Sequence, residues 1–174
     1  QKKLGESGIE TLVTSCAECF RTFALDYELD DMKVMHTTEF LVEKGFDMGL
    51  KSNDEVTVTY HDPCRLGRQM NIYDEPRDLV GSVEGVNLVE MEHTGEDALC
   101  CGVSSMMSCN ENSRALRVQR FEEVRETGAD IMLTSCPKCV AHFECLKFEG
   151  DPRHDFEILD VVSFLARQIE ESRG

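Results

Sequence analysis

Four short apolar runs punctuate a chain of mostly polar and charged positions. Thr11 to Val13, Val56 to Thr59, Val86 to Val89 and Ile131 to Leu133 are rich in β-branched residues, and runs of this kind predict buried strands. Between them the apolar positions recur at helical spacing. The clearest case is 113-SRALRVQRFEEVRETG-128, where Ala115, Val118, Phe121 and Val124 form a stripe, Asn112 or Ser113 offers a cap and Gly128 a stop. Its charged positions from Arg114 to Glu126 read as a solvated outer face without chemistry. Strands alternating with helices predict an α/β fold with a mainly parallel sheet flanked by helices. Ligand sites in such sheets gather at the carboxyl ends of the strands.

The same pattern occurs twice. The stretch 11-TLVTSCAECFRTFA-24 matches 131-IMLTSCPKCVAHFE-144, and 32-MKVMHTTEFLVEKG-45 matches 156-FEILDVVSFLARQI-169 with Phe40 and Phe164 in corresponding places. A register change of four residues separates the two matches. Each copy places Thr-Ser-Cys-x-x-Cys directly after a predicted strand and at the opening of a predicted helix, where free amides and the positive dipole end favour anionic sulfur. Cys64 also follows a strand, in 56-VTVTYHDPCRLGR-68, with Asp62-Pro63 marking a break. The cysteines therefore converge on one sheet edge.

Charge and composition narrow the chemistry. A chain of 174 residues can bury a sizeable core as one domain or two intimately packed halves. Its net charge of −16, spread along the sequence, excludes nucleic acid as a natural partner, which needs a basic footprint. No apolar run is long enough to cross a bilayer and no secretory signal opens the chain, so a soluble cytoplasmic protein is expected, one that could dock on a membrane-bound partner. In that compartment nine cysteines favour metal or redox chemistry over disulfides.

The stretch 97-DALCCGVSSMMSC-109 sets two cysteines side by side, a pair that can scarcely bond to each other without strain. Cys64 lies upstream and Cys136-x-x-Cys139 downstream. Five thiolates from three loops are too many for a structural zinc site, which closes with four ligands, and iron–sulfur clusters also usually take four. An unusual cluster, or one cysteine with a separate task, accounts for the fifth.

The pattern C-x35-CCG-x33-C-x2-C, with HDPCRLGR around its first cysteine and TSCPKC at its end, resembles the cysteine-rich "CCG" domain of the B- and D-type subunits of heterodisulfide reductase. The same domain occurs in iron–sulfur subunits of glycolate, lactate and glycerol-3-phosphate dehydrogenases. The resemblance is close over residues 56 to 145, and the repeat extends it. In that family the domain comes in tandem, each copy with five cysteines. Here the first copy keeps only Cys16 and Cys19, so residues 1–50 are expected to be the closing part of a first unit and 51–174 a complete second one, the whole being the carboxyl-terminal portion of a longer protein.

The resemblance implies that Cys64, Cys100, Cys101, Cys136 and Cys139 hold a noncubane [4Fe-4S] cluster with bridging thiolates, zinc being a possible substitute. Cys100 and Cys101 would be the catalytic ligands, and Gly102 would turn the backbone sharply and close to the cluster. Amides of the following small-residue loop could donate to sulfur. In heterodisulfide reductases the implied reaction is reductive cleavage of the disulfide of coenzyme M and coenzyme B, and both product thiols need protons. Partners would be other redox subunits: a flavoprotein, a ferredoxin-like subunit or a membrane cytochrome. Two other functions use the same residues: an electron-transfer subunit of a flavin-dependent 2-hydroxyacid or glycerol-3-phosphate dehydrogenase, and a zinc-stabilised interaction domain.

Other residues have a functional and a plain reading. Cys16 and Cys19 form part of an incomplete second site, or bind zinc, pair, or stay free. Cys109 and Cys145 lie outside the family pattern and read first as small buried hydrophobes. Arg65, Arg68 and Lys138 could offset a cluster's charge or hold an anionic headgroup, or be ordinary surface charge. His61 and His142 could deliver protons or accept hydrogen bonds near the cluster, structural histidines being the plainer reading. Met106 and Met107 could line a pocket, but methionine commonly fills gaps.

Overall fold

A computed structural model describes residues 2–29, 31–46, 49–103, 110–150 and 155–173. After a short helix α1 (Lys2–Gly5), strand β1 (Thr11–Thr14), helix α2 (Ala17–Leu25), strand β2 (Lys33–His36) and helix α3 (Thr37–Glu43) form the first copy of the repeat. Then come β3 (Lys51–His61), α4 (Gly67–Met70), α5 (Asp74–Gly81), β4 (Glu84–Val89), α6 (Glu111–Thr127), β5 (Ile131–Thr134), α7 (Pro137–Phe148), β6 (Glu157–Asp160) and α8 (Val161–Arg173). Cys109, Met106 and Met107, with the small-residue loop that holds them, lie outside the described residues.

Among the described residues every strand pair is parallel, in two sheets: β1-β2, and a four-stranded sheet in the order β4-β3-β5-β6. The repeat is visible in the registers, since Thr11 faces Lys33 and Thr14 faces His36, while Ile131 faces Glu157 and Thr134 faces Asp160. The four expected strands are present, and β3 runs further than its apolar stretch because Lys51, at its exposed start, pairs with Glu84 of β4 ahead of an irregularity that ends at Val56. The short strands β2 and β6 are the additions.

Alternation along β5 divides the core. Met132 faces a layer with Phe121, Phe143 and Leu146, whereas Ile131 and Leu133 face one with Leu79, Val80 and Phe164. The first copy contributes to both faces, through Ala17 and Phe20 on one and Leu41 and Val42 on the other.

Helix α6 departs from the expected amphipathic pattern. Its cap is Asn110, whose side chain accepts from the Ser113 amide at 2.9 Å, rather than Asn112 or Ser113, and Gly128 ends it in the left-handed conformation. Ala115 is exposed, and the charged positions are not all solvated. Arg117 and Arg120 are wholly buried and Glu123 nearly so. The inward stripe is thus Ser113, Arg117, Arg120, Phe121 and Val124, which share one face at intervals of three and four.

Candidate metal centre

The two central strands β3 and β5 lie side by side, but the chain leaves them toward opposite edges of the sheet, to β4 and to β6. Their carboxyl ends therefore open a crevice at the switch point of the topology. Cys64 sits three residues past the end of β3, and Cys136 caps α7 two residues past the end of β5. Cys100 and Cys101 enter between them on the segment before α6. Cys64, Cys101, Cys136 and Cys139 line one cavity, with Arg65, Lys138 and Glu18 at its wall.

The five sulfurs form a continuous string. Cys64 meets Cys100, Cys100 meets Cys101, Cys101 lies 3.2 Å from Cys139, and Cys139 bonds to Cys136. The described cysteines are all free. Contact with the Cys100 sulfur and burial push Cys64 up. The same neighbour pushes Cys101 up to about 12, and Cys139 is driven well above its ordinary value by Cys101 and Cys136. Cys136 goes the other way, held at about 6 by the bond from Cys139 and the helix-terminal amides against the effect of burial. Such a set cannot be fully deprotonated by its own surroundings; it suits a multiply charged metal group, which supplies the missing positive charge.

Backbone and buried side chains fix these positions. Gly102 has φ +84°, and a Cβ there would stand 2.7 Å from the Ser113 carbonyl oxygen. Its amide donates to the Cys100 sulfur at 3.3 Å. The loop carrying Cys64 is tied down by Asp62, which accepts from Arg77 at 2.8 and 2.9 Å and from the Gly95 amide at 2.8 Å. Burial alone would raise the Asp62 carboxyl, but Arg77 overrides it and leaves the group below its usual range.

Both sequence-selected histidines reach the site. His142 donates from Nδ1 to the Cys101 carbonyl oxygen at 2.8 Å. A ring nitrogen of His61 and the sulfurs of Cys101 and Cys139 fall within 4.8 Å of one another. His61 is held edge-on to Phe143, and burial, then Arg120, lowers it to about 3. Arg65 lines the cavity and bonds Gln69 at 2.8 Å, whereas Arg68 points to solvent. Lys138 is not free for an anion, being paired with Glu18 of the first copy. Cys16 caps α2 close enough to Cys136 to feel its charge, and Cys19 is exposed. Cys145 does not line the cavity.

The buried Arg117 and Arg120 and the half-buried Arg77 escape sequence reasoning, because nothing local distinguishes an inward-turned arginine from a solvated one. The single usable signal is their helical spacing with known apolar positions.

Residues 58–144 match the family model of the CCG cysteine-rich domain. The D-type subunit of the dihydromethanophenazine:CoB–CoM heterodisulfide reductase of Methanosarcina acetivorans is 32% identical over 172 residues, covering 93% of this chain and 41% of the relative. The B-type subunit of the CoM/CoB fumarate reductase of Methanothermobacter marburgensis is 32% identical over 163 residues, 91% of this chain and 32% of the relative. The probable iron-sulfur-binding oxidoreductase FadF of Bacillus subtilis is 28% identical over 170 residues, 94% and 24%. The chain thus spans less than half the length of each of these curated relatives. With five sulfurs strung across the switch point and the family model covering that stretch, the chain belongs to the CCG cysteine-rich domain family.

Proposed function

We propose that this chain is an iron–sulfur redox module of an oxidoreductase complex in which Cys64, Cys100, Cys101, Cys136 and Cys139 hold a noncubane [4Fe-4S] cluster and a small-molecule disulfide is reduced. The unbroken string of five sulfurs, from three loops, is the observation that carries this reading. The relatives include a heterodisulfide reductase subunit, a fumarate reductase subunit and a probable iron-sulfur-binding oxidoreductase, which supports the redox role and redox subunits as partners. Residues 1–50 are the closing part of a first unit and 51–174 a second, complete one, with Cys16 and Cys19 left from the first unit's own site.

Cys64, Cys100, Cys101, Cys136 and Cys139 would hold the cluster, which would relay two electrons, one at a time, from a redox partner subunit to the disulfide, two protons completing the two thiols. The chain's own residues hold and shield it. Gly102 brings its backbone against α6, the Asp62–Arg77 clamp fixes the Cys64 loop, and Arg65 stands at the cavity wall for the anionic end of a substrate. His142 has Nδ1–H committed to a carbonyl, so its Nε2 is the nitrogen that can accept or relay a proton.

One observation favours a pure electron-transfer role instead. Lys138 is spent on Glu18, leaving Arg65 as the unpaired-by-carboxylate cation among the described residues lining the cavity. Anaerobic reconstitution followed by iron, sulfide and zinc analysis separates these readings. Four irons per chain with a paramagnetic signal altered by added thiol is the expected result; a signal indifferent to thiol supports electron transfer, and stoichiometric zinc without iron sinks the cluster.

A further inference from the structure

We propose that His61 is a hydrogen-bond donor to the sulfur of this centre, locked into that role by Arg120, and not one of its metal ligands. The inference rests on the cluster reading above. By distance alone His61 belongs with Cys101 and Cys139 as a candidate third ligand. The hydrogen bond its ring already makes rules otherwise. Arg120 Nε donates to His61 Nδ1 at 3.1 Å, and a guanidinium has no lone pair to offer in return. Nδ1 must therefore accept, so the proton of the neutral imidazole resides on Nε2. A protonated ring nitrogen cannot coordinate a metal, but it can donate to thiolate or sulfide. His61 Nε2 is buried and finds no partner among the described residues, the cysteine sulfurs included, a costly omission unless sulfur of the bound cluster is the acceptor.

Arg120 is itself held. It is wholly buried, its Nη1 donates to the His93 carbonyl at 2.6 Å, and Glu123 pairs with it. Phe143 stands edge-on to the imidazole with ring centroids 4.9 Å apart and fixes its plane. Arg120 is thus a positioning residue, reaching the sulfurs only through His61. His142 is wired in the opposite sense, with its Nδ1–H given to the Cys101 carbonyl, so the two histidines carry their ring protons on different nitrogens. Hydrogen bonds to sulfur stabilise the more negative, reduced state of an iron–sulfur centre and raise its potential.

Two measurements test this. Long-range proton–nitrogen correlation spectra of the metal-free full chain should show His61 as the Nε2–H tautomer, and should lose that preference in Arg120→Lys; an Nδ1–H tautomer overturns the proposal. In the reconstituted protein, His61→Asn keeps an acceptor where Nδ1 was but removes the donor, and His61→Gln places an amide N–H near the old Nε2. His61→Asn should retain the wild-type iron and sulfide content with a lower midpoint potential, and His61→Gln should recover part of the drop. Loss of iron in His61→Asn with a native circular dichroism spectrum would mark His61 as a ligand, and an unchanged potential would remove its tuning role; either overturns the proposal. Should the wild-type chain take up no iron, the cluster reading fails and the tuning role fails with it, while the tautomer spectrum still reports on the Arg120 lock separately.

Discussion

Gly102 stands where two backbones meet, and that gives the Cys-Cys-Gly sequence a steric reason beside its chemical one. At φ +84° any side chain is strained, and the atom in the way is a carbonyl oxygen of the first turn of α6 rather than a movable side chain. Gly102→Ala is expected to cost about 2–4 kcal/mol, read as a fall in the urea midpoint, whereas Gly81→Ala, with open space around its Cβ, should stay within about 0.5 kcal/mol. A second residue-scale outcome concerns the clamp on the Cys64 loop. Asp62 is almost wholly buried and its partner only partly so, so Arg77→Ala strands a carboxylate and should cost about 3 kcal/mol. The Asp62 carboxyl is depressed in the folded chain, and the stability it brings is present above about pH 4, its unfolded value, and disappears as the pH falls through the folded one.

Among the elements, α6 separates what could be read from what could not. Its existence, its C-terminal glycine and the burial of Phe121 and Val124 follow from periodicity alone. The inward turn of Arg117 and Arg120 does not, because its cause lies in carbonyl oxygens of His142 and His93 that the fold brings up from distant positions. The cysteines were more legible, since their spacing against strand ends is a property of the chain itself, and β2 and β6 were legible only as matching halves of a repeat. The two buried arginines should also respond differently to replacement. Arg117→Met removes a charge whose acidic neighbour, Glu149, is solvated, and should change stability by less than about 1 kcal/mol. Arg120→Met takes the buried Glu123 from its guanidinium, leaving His93 as its remaining ion-pair partner among the described residues, and should cost about 3 kcal/mol. Equal losses in chemical denaturation would mean that the carboxylate's surroundings do not decide the matter.

At the scale of the whole molecule, buried histidine and crowded thiol set the response to acid and to metal. Burial lowers His36, the cap of α3, to about 4. A lowered histidine contributes fully above its unfolded value near 6.5 and loses that contribution as the pH falls toward 4, up to about 3 kcal/mol in all. The urea midpoint of the metal-free chain should decline over that window, and His36→Asn, which keeps a capping oxygen, should flatten the decline. Metal uptake at pH 7 should release protons from Cys64, Cys101 and Cys139 but few from Cys136, which is already largely ionised. Titration calorimetry in buffers of different ionisation heat reads that number directly, and a heat independent of buffer would contradict it. Among the described residues no helix is long and apolar enough to cross a membrane.

The two copies keep matching strand registers although they differ in length. Of the four residues by which the copies differ in length, three are accommodated in α7 against α2 and one in the connection to the next strand. Both additions fall downstream of the Cys-x-x-Cys turn and leave its distance from the preceding strand untouched. Length is therefore a free variable on the far side of each helix and a fixed one on the near side. Tags, hinges or inserted partners placed after residue 148 should be tolerated, while a single residue added between Thr134 and Cys136 would rotate both sulfurs off the site.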